Sequence, residues 1–510
     1  MADTKREREI ERKYDADASG GLPDLRGVAG VADVIDKGVA DLDAVYYDTA
    51  DQRLARASIT LRRRTGGKDA GWHLKLPVPE LEGARDEVHA PLSDGVPRAL
   101  IGLVRSRVRE ADLTPVVRLR SARDLRHLVD ADGALLAEVS VDGVRADRLD
   151  GITTTASWTE IEVELAPNGD PGLLDKVEKK LRKAGVRRSA SKSKLARALA
   201  DTGAALDPAA VPELTPGTAG AQVLAYLRVQ RDALLALDPA VRQDLPDSVH
   251  QMRVATRRTR SAFKTYGKLL DRTVTDPIGE ELKWLAAELG VDRDREVLTE
   301  RLTAALADIP RTLLLGPVRG RLRLWAVAGR AGSRRKTVAV LDSKRYLALL
   351  DSLDALLADP PLRKAASTPA AQALPVAVLK DYDRLATRVG HALALDPGTD
   401  RDLAMHEARK AAKRARYAGE AATPALGKPA AGFTKRMKAV QKVLGDHQDS
   451  VVAREALRDL AIQAHAAGET VFVWGLLYGR EEAVAATRER ELVGVWERAS
   501  RPKARAALGG

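Results

Sequence analysis

In six segments of the first 165 residues, charge keeps to alternate positions, where a strand would be expected to place its core. Glu9, Glu11 and Lys13 form the first set, followed by Arg62 with Arg64, His73 with Lys75, and Arg118 with Arg120. Glu138 and Asp142 share one parity, and Glu160, Glu162 and Glu164 close the series. The residues between are mostly apolar, among them Ile59 and Leu61, Leu74 and Leu76, Val139 and Val141, and Ile161, Val163 and Leu165. Successive side chains of a strand point to opposite faces, so each segment has one apolar face and one charged face. A one-sided sheet leaves its charged face in water. Here acids and bases recur strand after strand, which predicts a closed antiparallel barrel with a charged interior and an apolar outside covered by helices. Such an interior suits a polyanion held together with a divalent metal.

The rest of the chain needs a second unit. At 510 residues it exceeds one ordinary core, so two or three domains are expected. Residues 1–202 read as strand-rich, with turn signals at Thr65-Gly66-Gly67, Asp132-Gly133 and Asp142-Gly143 and helices near 95–110 and 172–184. Residues 203–217, rich in Pro, Gly and Ala without periodicity, read as a linker. From 218 to 500 apolar residues recur at spacings of three and four, an all-α pattern. Residues 501–510 read as a frayed basic tail.

This helical half repeats itself. His250, Arg253, Arg257 and Arg260 lie at offsets 0, 3, 7 and 10, and His406, Arg409, Lys413 and Arg416 lie at the same offsets. At about 100° per residue each set falls within an arc of about 80°. Arg258 and Arg414 match beside the stripes. Leu289-Gly290 with Asp294 and Val297 is echoed by Leu444-Gly445 with Asp449 and Val452. Agreement in type, spacing and order predicts a duplicated unit, about 218–345 and 370–500. Like charges at this spacing disfavour a helix on its own, so an anion is expected on each stripe. Asp294 and Asp449 are expected to orient these bases or to cap helices.

The net charge of +12 also favours anionic partners. Nucleic acid is disfavoured: aromatic residues are 4% of the chain, only Tyr417 stands beside a stripe, and no helix-turn-helix or metal-finger pattern is present. With no Cys there is no disulfide or thiolate metal site. The N-terminus lacks an apolar secretory core, and no apolar run approaches the roughly 20 residues that span a bilayer, so a cytoplasmic protein without membrane contact is expected.

Carboxylates at alternate strand positions gather oxygens in one cavity, which suits Mg²⁺ or Mn²⁺. Glu9, Glu11, Glu162 and Glu164 form the main metal set, with Asp142 a further candidate. Arginine forks and lysine point charges match phosphate oxygens. Lys13, Arg62, Arg64, Lys75, Arg118 and Arg120 are the candidates to line a run of phosphates.

These motifs carry a resemblance. Glu9-x-Glu11-x-Lys13, Tyr46-Tyr47-Asp48-Thr49, Leu61-Arg62-Arg63-Arg64, His73-Leu74-Lys75-Leu76-Pro77, Arg118-x-Arg120 and Glu160-Ile-Glu-Val-Glu164 resemble the CYTH superfamily of triphosphate tunnel metalloenzymes over about residues 5–200. The resemblance implies an eight-stranded closed tunnel acting on triphosphates with a divalent metal. It implies metal roles for Glu9, Glu11, Glu162, Glu164 and Asp142, and triphosphate binding by Lys13, Arg62, Arg64, Lys75, Arg118 and Arg120. Glu9, Glu11 and Lys13 would be the catalytic group. A late basic residue is implied as well, either Lys192 or Lys194, and Glu160 competes with Glu162 and Glu164 for the metal. His250-x-x-Arg253 with Arg257-Arg258, and His406-x-x-Arg409-Lys410 with Lys413-Arg414, resemble the CHAD domain over about 218–500. That resemblance implies two helical-bundle halves that bind inorganic polyphosphate through both stripes, Arg260, Lys410 and Arg416 included.

The expected function is a metal-dependent triphosphatase acting on inorganic tripolyphosphate or a related triphosphate, with a helical unit that binds polyphosphate and associates with polyphosphate granules. Two alternatives stand beside it: an adenylate cyclase of this superfamily, and a non-catalytic polyphosphate-binding protein.

Overall fold

The computed structural model describes residues 4–16, 21–78, 81–151, 154–203, 214–330 and 333–508. The chain divides into two compact units, Met1–Ala210 and Val211–Gly510. Most of the expected linker, residues 204–213, lies outside the described residues.

The first unit is an antiparallel barrel. Its strands are β1 (Lys5–Ala16), β2 (Asp33–Asp48), β3 (Thr60–Thr65), β4 (Gly71–Pro77), β5 (Ala84–Ala90), β6 (Thr114–Val129), β7 (Leu135–Arg148) and β8 (Thr155–Leu165). Hydrogen bonding runs β5-β4-β3-β2-β6-β7-β8-β1, and pairing of β1 with β5 closes the ring. A two-residue strand, β9 (Arg187–Arg188), adds to β1. A closed ring leaves no open edge of unpaired backbone.

Among the described residues this unit has four helices: α1 (Arg53–Arg56), α2 (Arg98–Val108), α3 (Gly172–Lys183) and α4 (Lys194–Asp201). The apolar outer faces are covered as the alternation requires. Leu100, Leu103 and Val104 of α2 pack on Leu61, Trp72, Leu74 and Val88. Leu174, Val177 and Leu181 of α3 pack on Tyr14, Val139, Ile161 and Val163.

Two of the three turn signals are turns. Gly66 and Gly67 join β3 to β4 and Gly133 joins β6 to β7, all at positive φ. At Gly66 only glycine fits, because a Cβ would stand 2.1 Å from the Asp41 carbonyl oxygen. The third signal, Asp142-Gly143, lies inside β7, where Gly143 pairs with both Ala122 and Thr159. The alternation of Ser140, Asp142 and Val144 carries the strand through the glycine.

Among the described residues the second unit is helical: α5 (Ala219–Arg242), α6 (Ser248–Thr265), α7 (Arg272–Glu288), α8 (Gly290–Ala307), α9 (Val318–Arg330), α10 (Ser333–Asp342), α11 (Lys344–Ala358), α12 (Ala370–Ala394), α13 (Thr399–Leu426), α14 (Lys428–Ala466), α15 (Phe472–Ala499) and α16 (Pro502–Ala506). Helices α5, α6, α7 and α11 pack as one bundle, and α12 to α15 as the other. One apolar cluster runs through both, from Leu224, Met252 and Leu282 to Tyr382, Met405 and Met437. The first repeat therefore extends past 345, because α11 is its fourth helix and buries Tyr346, Leu350 and Leu353 in that cluster. The predicted frayed tail is instead a docked segment. Leu508 is buried and the Arg505 guanidinium lies over the Tyr382 ring at 5.2 Å. No helix among the described residues is long and apolar enough to cross a membrane.

Candidate functional site

Strand register decides which charges face the barrel interior. From β3 through β4, β5 and β1 to β8, cross-strand partners link Arg62, His73, His89, Lys5 and then Glu9, Glu11 and Lys13 by parity, ending on Glu162 and Glu164. From β8 to β7 and β6, Glu160 pairs with Asp142, and Asp142 pairs with Arg123. All these side chains share the inner face. Around the ring, β3 and β4 stand opposite β8 and β7. Arg62, Arg64 and Lys75 therefore form a basic wall facing the acids of β7 and β8.

The interior is apolar at one end. Val117, Leu119, Ala44, Tyr46, Val144 and Ala146 share the inner parity and pack on Leu195, Ala198 and Leu199 of α4. Helix α4 thus fills that end, and it starts where the charges start. Its first residue, Lys194, extends Nζ to Asp142 at 2.9 Å, Glu160 at 2.7 Å and Glu162 at 2.6 Å. Ser193 caps the helix, accepting from the Ala196 amide at 3.0 Å. Near the other charges, a recess of about 420 Å³ opens onto Glu11 and Lys13 and is lined by Arg85 and Lys192. Of the two late lysines, Lys194 reaches the acids and Lys192 is exposed at the recess.

Acids and bases interlock in the middle. Lys13 pairs with Glu11 at 3.1 Å and also contacts Glu162. Lys75 pairs with Glu9. Arg123 forms a two-pronged bond to Asp142, at 2.8 and 2.7 Å, and reaches Glu162 at 2.7 Å. Arg62 donates to the Tyr46 hydroxyl at 3.3 Å, and Arg64 pairs with Asp69. His73 is held between Glu87 and the Asp69 carbonyl, both at 2.9 Å, and burial lowers its pKa to about 4, so it is neutral.

Burial opposes charge throughout this interior. It pushes the Glu9 carboxyl up to about 9, with Glu164 and Glu87 adding to the effect, while Lys75 opposes it. Glu164 is pushed up to about 7 by burial and by Glu11 and Glu162. Glu11 moves the other way: burial acts against it, but Lys13, Lys75 and Lys194 hold it below the ordinary value. Carboxylates crowded until some resist ionisation form a donor set that a hard divalent cation relieves. Asp142, Glu160 and Glu162 also present oxygens within 4.8 Å of one another. The residues present therefore fit a divalent ion with oxygen ligands.

Two predicted residues are not in the tunnel. Arg118 and Arg120 lie on the outer face of β6, where Arg118 donates to Asp43 at 2.9 Å and Arg120 pairs with Asp147 at 3.1 Å. Their inward neighbours, Val117 and Leu119, meet α4, so on this stretch the charged parity points outward. Arg123, on the opposite parity, supplies the inner cation of β6. Glu87 is a second interior residue that alternation did not single out, because Asp86 beside it is also acidic and pairs outward with Arg6 and Arg8.

The helical unit gathers a second set. Stripes on α6 and α13 come together, so that Arg409 and Lys413 both lie in the field of Arg257. The two copies of the Leu-Gly landmark differ: a Cβ on Gly445 would meet Arg409 only at an ordinary 3.8 Å, whereas the Arg253 guanidinium passes close over Gly290, 2.8 Å from where a Cβ would stand. Arg253 thereby reaches Asp294 with two bonds, at 2.8 and 3.1 Å, and Arg409 lies 3.6 Å from Asp449. Among the described residues, Arg257, Arg260 and Lys413 have no carboxylate at ion-pair distance. Burial, then Arg409 and Arg257, lower the Lys413 pKa to about 7.

Other stripe residues are engaged elsewhere. Arg258 and Arg416 bind Glu420, Arg414 binds Asp381 and Lys410 binds Glu407. His250 is exposed, and His406 faces Gln448 at 2.5 Å. Sequence reasoning did not single out His447. It is buried between Asp402 at 3.3 Å and Glu489 at 3.4 Å, each of which also holds an arginine.

Comparison with known proteins gives the same two parts. The CYTH domain model matches residues 7–199 and the CHAD domain model matches residues 225–458. An uncharacterised protein of Mycobacterium tuberculosis is 39% identical over 502 residues, covering 95% of this chain and 94% of that relative. Among solved structures, PptA from Streptomyces chartreusis is 23% identical and covers 55% of this chain and 99% of its own, with a TM-score of 0.47. A putative adenylyl cyclase from Hippeastrum, described as having a dominant triphosphatase activity, is 17% identical over 41% of this chain and 97% of its own, with a TM-score of 0.23.

Proposed function

For a chain that belongs to the proteins joining a CYTH domain to a CHAD domain, we propose that the barrel is a divalent-metal-dependent triphosphatase and that the helical unit binds inorganic polyphosphate. The observation that carries the first part is the facing of two walls in one closed tunnel, Arg62, Arg64 and Lys75 against the acids of β7 and β8. Mg²⁺ or Mn²⁺, held by Glu9, Glu11, Glu162 and Glu164 with Asp142 in support, would neutralise phosphate charge and polarise the phosphorus–oxygen bonds.

The chain's own residues do the rest. Arg62, Arg64 and Lys75 grip the phosphates, and Lys13, Arg123 and Lys194 keep the acids ionised and in place. A water oxygen attacks the terminal phosphorus and the bridging phosphorus–oxygen bond breaks. The water proton passes to a tunnel carboxylate, and the basic wall takes up the charge of the leaving phosphates. The apolar plug of α4 favours a short inorganic chain or a chain end, because nothing can thread through that end. Phosphate release from tripolyphosphate that requires added Mg²⁺ or Mn²⁺ and stops with a chelator is the expected result. Release that persists without divalent metal overturns the reading.

The second part rests on the uncompensated charge of Arg257, Arg260 and Lys413. It carries a pH signature. Lys413 is largely neutral above its pKa of about 7, and a bound polyanion restores its proton. The bound state therefore holds more protons, and polyphosphate affinity falls as pH rises from about 6 to about 8. Lys413→Arg keeps its charge and should flatten this slope. A slope unchanged in that variant assigns the effect to another group.

A further inference from the structure

The two stripes differ at their C-terminal ends. Offset 14 from His250 is Lys264, and offset 14 from His406 is Glu420. At about 100° per residue this offset falls in the middle of the stripe's own arc. In α13, Glu420 accepts from Arg416 at 2.8 Å and from Arg258 at 3.0 Å, so that stripe is neutralised at its end. In α6, no carboxylate lies at ion-pair distance from Lys264 among the described residues. Its neighbours are cations instead: Arg260 and Arg414 both disfavour its charge, after burial, with Glu280 opposing them.

Beyond Lys264 the basic surface continues. A recess of about 550 Å³ lies between the end of α6 and the first half of α12, with Lys264, Lys268, Lys380, Arg384 and Arg414 around it and Ala377 in its wall. Lys268 and Lys380 are exposed, and neither has an ion-pair partner among the described residues. The acid beneath them, Asp381, is buried and already shared by Arg384 and Arg414 at 2.9 and 2.8 Å.

We propose that this recess is a second phosphate-binding site, joined to the central patch through Arg260 and Lys264, which takes the continuing segment of a polyphosphate too long for the central patch alone. At the equivalent place on α13 Glu420 cancels charge on Arg416 and Arg258, so that end offers no such continuation and long polyphosphate extends from the central patch toward this recess in spite of the duplicated fold. The proposal rests on the polyphosphate reading above. A nucleotide is the lesser fit, because the aromatic residue that lines the recess, Tyr266, is only 1% exposed, with its hydroxyl donating to the Ala418 carbonyl oxygen at 2.9 Å, and offers a base no open ring face.

The test compares short and long polyphosphate fractions, with ADP as a third probe, on the full chain. For Lys264→Glu/Lys380→Glu the expected result is about tenfold weaker binding of long chains, shallower salt dependence and unchanged binding of short chains. Arg257→Gln/Arg409→Gln should weaken both lengths. Long-chain affinity unchanged in the lysine variant, or an equal loss for both lengths, overturns the second site. ADP binding that disappears in the lysine variant while long chains bind as before overturns it in favour of a nucleotide site. Failure of the parent to bind either length defeats the polyphosphate reading itself.

Discussion

Arg123→Ala is expected to destabilise the barrel by about 3 kcal/mol, whereas Arg118→Ala changes its stability by less than about 0.5 kcal/mol. Arg123 bonds Asp142, which is 0% exposed, and Glu162. Removing one partner of a buried pair strands the other charge, a loss of about 3–5 kcal/mol. The lower end applies because Lys194 stays on Asp142 and Glu162. Arg118 is 41% exposed and pairs with Asp43 on the outer face, where ion pairs contribute little. Denaturant unfolding of both variants checks the order. Equal losses would mean that the inner and outer faces of β6 are wrongly assigned.

The same two residues show where sequence reasoning reaches and where it stops. Alternation located the barrel because the inner charges of β1, β3, β4 and β8 keep one parity against an apolar outer parity. It failed on β6 because the inner face of that strand changes chemistry along its length. Val117 and Leu119 face α4, then Ser121 and Arg123 face the acids. A period-two pattern records parity and not direction, so Arg118 and Arg120 read as inner charges. Lys194 raised a different difficulty. Its partners Asp142, Glu160 and Glu162 come from β7 and β8, and only the plugging of the barrel by α4 brings them together. In the helical unit the stripes were legible from spacing. Which of their bases are engaged was not, because Glu420 and Asp381 reach Arg258 and Arg414 across helices.

Replacing Arg257 and Arg409 together with Gln is expected to weaken polyphosphate binding at least about a hundredfold, roughly 2.7 kcal/mol, without loss of fold stability. Burial lowers the pKa of Arg409, and Arg257 lowers it further, so like charges are being held together. Neutralising two of them relieves that repulsion while removing the attraction for the ligand. Stability that holds or rises while affinity falls is the mark of a binding patch. A variant that unfolds with its affinity would make these arginines structural. The effect should shrink as salt rises, since the long-range attraction of the patch for a polyanion is screened over roughly 10 Å at about 0.1 M ionic strength.

Phosphate release from tripolyphosphate with Mg²⁺, by the parent chain beside Glu9→Gln/Glu11→Gln, decides whether the tunnel is a triphosphatase. These substitutions keep the shape of β1 but remove two carboxylates from the inner face. Turnover in the parent and a loss of at least about a thousandfold in the variant are expected, because charge stabilisation at the reacting phosphate is lost. Equal turnover in both proteins, or none in a folded parent, would contradict the triphosphatase reading.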